Sequence, residues 1–193
     1  MFTGIVQETG KITKIEEDTY TVTTDLNLQN LEIGGSIALN GACLTIISIE
    51  TNAFSIQVTP ETLKRTNIKY LKLKDTVNLE LPLILNSGLD GHMVQGHIDD
   101  TGSITQITPH ENSIYITIQT NRELMRYICE KGYVAVDGVS LTIVNCTDDE
   151  FTVSIIPHTK KNTVFSINKI GDIVNIEVDI ISKYVEKLLN KRT

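Results

Sequence analysis

Two short segments of this chain share one pattern, in which a thiol or a hydroxyl precedes a leucine and a threonine. Asn40-Gly41-Ala42-Cys43-Leu44-Thr45-Ile46 returns as Asp137-Gly138-Val139-Ser140-Leu141-Thr142-Ile143. Backbone amides and carbonyls, with one or two hydroxyls, can hold a flat polar heterocycle. The repeated pattern therefore makes Thr45 and Thr142 candidate ligand contacts. Threonine is also common in strands because of its β propensity, so a purely structural role stays open.

The match between the two halves continues downstream at the same spacing. Pro60-Glu61-Thr62 faces Pro157-His158-Thr159, and Asp75–Glu80 faces Asp172–Glu177. Self-similarity over this length indicates a duplicated domain with roughly 90 residues in each copy. Two copies of one fold imply two copies of one site, and hence a task with two similar ligands or one symmetric ligand. Pro-x-Thr is also a frequent helix start, so capping alone could explain that pair.

Three positions break the repeat and could separate the two sites chemically. Ser36 is matched by Tyr133, Cys43 by Ser140, and His97 by Ile5. A lone cysteine in an apolar strand is more often a small buried residue than a reactive one. A histidine acts near neutral pH only where solvent or substrate reaches it. These positions are nevertheless the candidates for an asymmetric reaction.

Short segments rich in β-branched residues dominate both halves. Turn residues (Asn, Gly, Thr and Pro) separate these segments, which makes them candidate strands of a barrel or a sandwich. A closed barrel is favoured because it has no exposed edge strands. The predicted strands are 36–39, 44–49, 54–58 and 77–81 in the first half, and 133–136, 141–144, 151–156 and 173–178 in the second.

Helical patterns are few. Pro60–Leu63, Pro157–Lys160 and Arg122–Ile128 have helix-start residues or helical spacing, and Ile180–Leu189 has apolar residues three and four apart. The last segment has no counterpart in the first half. We expect it to pack on another subunit or on its own barrel.

Composition limits the classes of partner. The net charge of −7 disfavours nucleic acids and membrane surfaces. No apolar run reaches the length of a spanning helix, and the first residues lack the pattern of a signal peptide, so we expect a cytoplasmic protein. Cys43, Cys129 and Cys146 form no CxxC pair, which supports neither a disulfide framework nor a zinc site.

Several motifs together resemble the riboflavin synthase family of the α-chain type, over essentially the whole chain. They are the opening Met1-Phe2-Thr3-Gly4-Ile5-Val6, the paired Leu-Thr segments, Gly91-His92-Met93-Val94-Gln95-Gly96-His97, and the paired Pro-x-Thr turns. The resemblance implies an all-β fold of two tandem homologous six-stranded Greek-key barrels plus a C-terminal α-helix. The expected segments are a barrel over 1–92, a barrel over 93–181 and a trimerisation helix over 182–193.

The resemblance also implies an activity. Two molecules of 6,7-dimethyl-8-ribityllumazine, both held at one site, would yield riboflavin and 5-amino-6-ribitylaminouracil by transfer of a four-carbon unit. No metal or redox cofactor is implied. The implied assembly is a homotrimer in which the first barrel of one subunit works with the second barrel of another. Because donor and acceptor are the same molecule, the few differences between the barrels must assign the roles.

Site residues follow from the resemblance position by position. The implied catalytic residues are Phe2, Ser36 and Cys43 in the first barrel, with His97 and Asp179 from the second. Asp179 could instead only cap the tail helix. Implied substrate contacts of the first barrel are Gly4, Ile5, Val6, Cys43, Leu44, Thr45, Gln57, Val58, Thr59, Pro60, Glu61 and Thr62. Those of the second are Gly96, His97, Ile98, Lys131, Ser140, Leu141, Thr142, Ser154, Ile155, Ile156, Pro157, His158 and Thr159.

Two other classes of function compete with the enzyme. The same duplicated fold serves antenna proteins that bind lumazine or flavin without turnover, and these are expected to lose polar site groups, whereas Ser36, Cys43, His97 and Asp179 are all present here. An oligomeric scaffold without a ligand would leave the paired Leu-Thr and Pro-x-Thr motifs unexplained. His92 and His110 are expected to be structural or surface residues.

Overall fold

The computed structural model describes residues 1–29, 31–84 and 88–190. Residues 30 and 85–87 of the first expected barrel, and 191–193 of the expected tail, lie outside these ranges. The strands are β1 Glu8–Glu16, β2 Thr19–Thr24, β3 Ser36–Leu39, β4 Ala42–Ile49, β5 Ala53–Gln57, β6 Thr76–Glu80, β7 Asp100–His110, β8 Ser113–Gln119, β9 Tyr133–Val136, β10 Val139–Cys146, β11 Glu150–Ile155 and β12 Ile173–Val178. The helices are α1 Pro60–Arg65, α2 Arg122–Met125, α3 Pro157–Asn162 and α4 Ile180–Leu189.

These strands form two closed antiparallel barrels with one topology. The order around the first barrel is β1-β2-β5-β4-β3-β6, and around the second it is β7-β8-β11-β10-β9-β12. The pairing of β3 with β6 and of β9 with β12 crosses the sequence order in the same way. The predicted all-β class with two six-stranded barrels is confirmed. Closure removes the free strand edges that an open sheet of this size would expose.

Each barrel has its own core. Inward residues alternate with outward residues along the strands, as in β2, and they meet inside the barrel. Phe54 and Phe151, which the repeat pairs, are fully buried at matching places in the two cores. The barrels are therefore separate packing units, so their relative position depends on contacts between them.

Two asparagines at matching positions make the main polar contacts between the barrels. Asn78 on β6 donates through Nδ2 to the carbonyl of Asp137 at 2.9 Å and accepts the Val164 N–H at 2.8 Å. Asn175 on β12 donates to the carbonyl of Asn40 at 2.8 Å and accepts the Asn67 N–H at 2.6 Å. Both side chains are buried, so each lost bond would leave an unpaired polar group in the interface.

The turns that carry Asn40 and Asp137 meet on the local two-fold axis. Gly41 and Gly138 each have φ near +80°, and a Cβ on Gly41 would lie 2.6 Å from the nitrogen of Gly138. Only glycine allows this backbone conformation and this approach together. The contact places β4 and β10, and hence Cys43 and Ser140, on opposite sides of the axis.

Helix α4 begins at Ile180, two residues before the expected boundary, because the Asp179 side chain caps it by accepting the Ile181 N–H at 3.0 Å. Polar contacts attach the helix to the second barrel. Lys183 lies 2.5 Å from Asp99, and Glu186 accepts from Arg126 at 2.6 Å and from Tyr127. The opposite face of α4 is exposed and apolar, with Ile181, Tyr184, Val185, Leu188 and Leu189.

Asp137 gives a pH test of the barrel interface. Burial raises the pKa of its carboxyl to about 7, and it outweighs the N–H donors of Asn175 and Asn67, which lower the pKa. The folded protein binds this proton more tightly than the unfolded chain, so the free energy of unfolding falls as the pH rises through about 7. Asp137→Asn keeps the acceptor oxygen, and we expect it to stabilise the protein at about pH 8 by up to about 4 kcal/mol.

Urea unfolding at about pH 5 and about pH 8 measures this effect, and the gain from Asp137→Asn should shrink at the lower pH. Asn40→Asp is the matched control, because Asn40 occupies the related position and accepts the Asn78 N–H at 2.8 Å. This variant should lose stability at the higher pH. An equal pH dependence of Asp137→Asn and the unsubstituted protein would contradict the assignment.

Candidate functional site

The segments that precede the first strand of each barrel cross one another. Phe2 and Val94 form an antiparallel bridge, with N–H to carbonyl distances of 2.7 and 3.2 Å. Both side chains are buried with Ala38 and Ala135, one from each barrel. Phe2 therefore belongs to both barrels and not to the first alone.

The crossing exchanges the predicted ligand segments between the barrels. The carbonyl of Gly4 accepts the Ser140 N–H of the second barrel at 2.7 Å, and the carbonyl of Gly96 accepts the Cys43 N–H of the first at 2.8 Å. Val6 packs against the second core and Ile98 against the first. The expected grouping, Gly4–Val6 with the first barrel and Gly96–Ile98 with the second, is corrected: each segment lies on the other barrel.

A cavity of about 240 Å³ lies beside Cys43. It brings together predicted residues from distant parts of the chain, and its lining is Ala42, Cys43, Thr59, Glu61, Thr62, Arg65, Thr66, Gly96, His97 and Ile98. His97 thus lies in the cavity of the first barrel with Cys43. A thiol, an imidazole and several hydroxyls converge on one space, which suits a polar ligand.

Helix α1 forms one wall of the cavity. Thr59 caps it by accepting the Thr62 N–H at 3.2 Å, and Arg65 donates to Glu61 at 2.9 Å. The Arg65 hydrogen bond lowers the pKa of the Glu61 carboxyl, which keeps it an acceptor for hydroxyl groups. Sequence reasoning missed Arg65, although its place four residues after Glu61 is a signal for an ion pair.

In the second barrel, Ser140, at the position that matches Cys43, forms a polar pair with a different histidine. His92 Nδ1 lies 2.7 Å from the Oγ of Ser140, and the His92 side chain is buried. Gly91 permits this approach, since a Cβ there would lie 2.1 Å from the Thr3 carbonyl. His92 was expected to be structural or on the surface. It lies between the two copies of the repeat, so comparison of the halves carried no signal for it.

The surroundings of His92 favour its neutral form. Burial lowers the pKa of the imidazole, and the charge of Asp179 acts in the opposite direction. The ring stacks on Tyr133, with centroids 5.3 Å apart. A neutral imidazole beside a hydroxyl can accept a proton, and a nearby carboxylate stabilises the charged product. Asp179 therefore both caps helix α4 and places a negative charge near His92.

The other predicted residues divide by the direction of their side chains. Leu44, Val58, Leu141 and Ile155 are buried in the barrel cores, so a ligand could meet only their backbone. Exposed or half-exposed residues are Ile5, Ser36, Thr45, Gln57, Pro60, Lys131, Thr142, Ser154, Ile156, Pro157, His158 and Thr159. Ser36 pairs with Thr45 across β3 and β4, and Tyr133 pairs with Thr142 across β9 and β10.

Comparison with known proteins finds the same domain in both halves of the chain. The family model of the lumazine binding domain matches twice, over residues 3–82 and 95–179. The chain is 48% identical to riboflavin synthase of Actinobacillus pleuropneumoniae, over 100% of this chain and 91% of the relative. It is 40% identical to riboflavin synthase of Bacillus subtilis, over 99% and 91%.

A solved structure of LumP complexed with riboflavin has the same fold, with a TM-score of 0.83, 26% identity, and coverage of 92% of this chain and 99% of that one. Fold and paired sites thus define a protein of two lumazine-binding domains. The full-length similarity to enzymes narrows this class, and the chain belongs to the riboflavin synthase family.

Gly96 offers a test of the cavity. It has a φ of +80°, and a Cβ there would lie 2.5 Å from the Cβ of Cys43. Gly96→Ala should push the crossing segment away from β4, reduce the free energy of unfolding by about 1–3 kcal/mol, and increase the alkylation rate of Cys43. Urea unfolding and peptide mass spectrometry after maleimide labelling measure the two effects.

Gly34→Ala is the matched control, because Gly34 has a similar φ of +86° and nothing within 4 Å of the added Cβ. It should show only the backbone strain, about 1 kcal/mol, and leave Cys43 labelling unchanged. If both variants labelled Cys43 at the same rate, the close contact would not protect the cavity.

Proposed function

We propose that this protein catalyses the riboflavin synthase reaction, in which two molecules of 6,7-dimethyl-8-ribityllumazine give riboflavin and 5-amino-6-ribitylaminouracil. One observation carries the proposal. Two sites with matching backbones, built by the crossed segments, present unlike polar groups: Cys43 with His97 in one, and Ser140 with His92 in the other. Matching backbones can bind the same ring, and unlike side chains can assign donor and acceptor.

The binding role falls to the exposed strand and helix-start positions. Thr45 and Thr142 lie at matching places for the ring, while Glu61, Thr62, His158 and Thr159 lie at the helix starts, where the hydroxyls of a ribityl chain would find acceptors and donors. Holding two ligands in the reactive orientation can lower the barrier by roughly 7–11 kcal/mol. Positioning is therefore the main task of the site.

The chemical role falls to the asymmetric pairs. The reaction needs a nucleophile, water or a hydroxyl, to add to one lumazine and a base to remove a proton from the C7 methyl group of the other. The lumazine ring delocalises the resulting charge, so a weak base suffices. His92, with its lowered pKa, can take a proton through Ser140. Cys43, His97 and Ser36 would orient and polarise the other lumazine.

Incubation of the purified protein with 6,7-dimethyl-8-ribityllumazine tests the function. Riboflavin fluorescence should appear without any added cofactor, and addition of a chelator should not change the rate. Binding without turnover would point instead to a LumP-like chromophore carrier. Loss of activity on chelation, with recovery on a divalent ion, would contradict the cofactor-free reaction.

Alanine variants separate the binding role from the chemical role. Cys43→Ala, His97→Ala or Ser36→Ala should slow single turnover by about 10- to 1,000-fold with smaller effects on affinity. Thr45→Ala and Thr142→Ala are the matched comparison, and should mainly weaken binding in a fluorescence titration. Single-turnover rates equal to those of the unsubstituted protein in the first set would reject these roles.

We also propose that the protein is a cytoplasmic homotrimer assembled through α4, with the working pair of barrels shared between subunits. Lys183 and Glu186 attach one side of this ten-residue helix to the second barrel. The other side leaves Tyr184 and Leu188, about 58% and 66% exposed, in an apolar stripe. Burial of such a stripe against a second copy is favourable. No helix of the described residues is long and apolar enough to cross a membrane.

Removal of the apolar stripe should release monomers. Deletion of Lys183–Thr193, or Leu188→Asp in the intact chain, should shift sedimentation to the monomer mass, because a buried charge in the helix interface is costly. The monomer should bind ligand and turn it over poorly. Lys187→Asp is the control, since Lys187 is exposed outside the apolar stripe. A truncated protein that stayed trimeric would contradict the assignment.

A further inference from the structure

Two buried carboxylates outside the sites described above occupy matching positions in the barrels. Glu80 ends β6 and Glu177 lies on β12, and their side chains are 4% and 2% exposed. Buried acids are usually paired with cations. Among the described residues, however, neither carboxylate has an ion-pair partner within 4.0 Å. Their charge is stabilised in another way.

Backbone N–H groups of the crossing segments surround both carboxylates. Glu80 accepts from the N–H of Thr3 at 2.7 Å, from its hydroxyl at 2.9 Å, and from the N–H of Gly4 at 3.1 Å. Glu177 accepts from the N–H of Gln95 at 2.6 Å and of Gly96 at 2.9 Å. In each case the two carboxylate oxygens bind successive N–H groups of one strand-like segment, and bonds to an ionised acceptor are strong.

The carboxylates act across the two barrels. Glu80 belongs to the first barrel, but the Gly4 that it holds contacts Ser140 of the second. Glu177 belongs to the second barrel, but the Gly96 that it holds contacts Cys43 of the first. Each carboxylate therefore hydrogen-bonds directly to the segment that forms part of the opposite site.

We propose that Glu80 and Glu177 are positioning residues, each holding the ligand-lining segment of the opposite barrel: Glu177 controls the Cys43 site and Glu80 the Ser140 site. The proposal rests on the proposed function for its ligand, but the geometry of the segments can be tested without one. Glu177 acts through Gly96, and so sets the place of His97 in the cavity. Glu80 acts through Gly4, and so sets the backbone beside the Ser140–His92 pair.

The carboxylate form is needed for this role. An ionised carboxylate accepts on both oxygens, whereas a glutamine in the same place would turn an NH₂ group toward one of the two N–H donors. Burial raises the pKa of both groups, that of Glu177 to about 7, while the N–H donors of the segments lower it. The N–H donors of the segments thus favour the ionised form of these buried acids against the effect of burial, and the acids fix the segments in return.

Glutamine substitution of each acid tests the proposal, with each variant as the control for the other. Hydrogen exchange of the unliganded protein, read by mass spectrometry, should become about tenfold faster at residues 95–98 in Glu177→Gln and unchanged at 3–5, beyond the bridge between Phe2 and Val94. Glu80→Gln should show the reverse. Glu50→Gln, the same change at an exposed loop position, should alter neither segment.

Ligand protection gives a second, functional measurement. The concentration of 6,7-dimethyl-8-ribityllumazine that halves the alkylation rate of Cys43 should rise about tenfold in Glu177→Gln and less than about twofold in Glu80→Gln. Both variants should slow single turnover. If the unsubstituted protein gave no protection, the proposed ligand would be wrong, and hydrogen exchange would still decide on the positioning role.

Equal acceleration of both segments by either variant, or no acceleration at all, would overturn the proposal. Should the glutamine variants fail to fold, Glu80→Asp and Glu177→Asp replace them. These keep the charge but shorten the side chain by one methylene, so each should lose one of its two backbone contacts. The same crossed pattern is then expected at smaller amplitude, and exchange unchanged from the unsubstituted protein would count against the proposal.

Discussion

The reciprocal hydrogen bonds of Asn78 and Asn175 are the constraint on which the rest of this structure depends. A closed barrel has no free edge, so two barrels in one chain do not become one unit by strand pairing. Here Asn78 and Asn175 each place a buried amide side chain onto the backbone of the other barrel, as donor and as acceptor. A primary amide can satisfy both requirements at once. The result is a two-fold arrangement in which the glycine turns are in contact and the segments before β1 and β7 cross the interface.

That crossing makes the two sites mutually dependent. Each site combines a strand of one barrel with the segment that precedes the other barrel in the chain. A buried carboxylate links each segment to the barrel that follows it in the chain. A separated barrel would therefore lack part of its own site. This arrangement suits a reaction between two identical molecules, because the two sites have related backbones and differ only where side chains differ. Chemical asymmetry then needs few changes, such as Cys43 for Ser140 and His97 for Ile5.

Buried ionisable groups are concentrated at the same interface. Asp137, Glu80 and Glu177 all have raised pKa values because burial outweighs the hydrogen bonds that they accept. Such groups cost stability at higher pH. Glu80 and Glu177 each use both oxygens to hold a segment, whereas Asp137 accepts its two donors on Oδ1. At the position related to Asp137, the neutral amide of Asn40 accepts one backbone N–H, from Asn78, and among the described residues it has no second donor equivalent to Asn67. Stability and site geometry are therefore coupled through the contact between the barrels.

The sequence by itself determined the duplication, the all-β barrels and the positions of α1, α3 and α4, because repeated residue types and apolar spacing are local properties. It also identified Cys43, Ser140, His97 and Asp179 as polar groups worth attention, through the resemblance and through the breaks in the repeat. Only the tertiary structure decided which of them meet. The exchange of the Gly4 and Gly96 segments, the His92–Ser140 pair and the carboxylates of Glu80 and Glu177 depend on contacts between residues far apart in the chain. Neither spacing nor comparison of the halves carries that information, since two equal repeats fit crossed and uncrossed segments equally well.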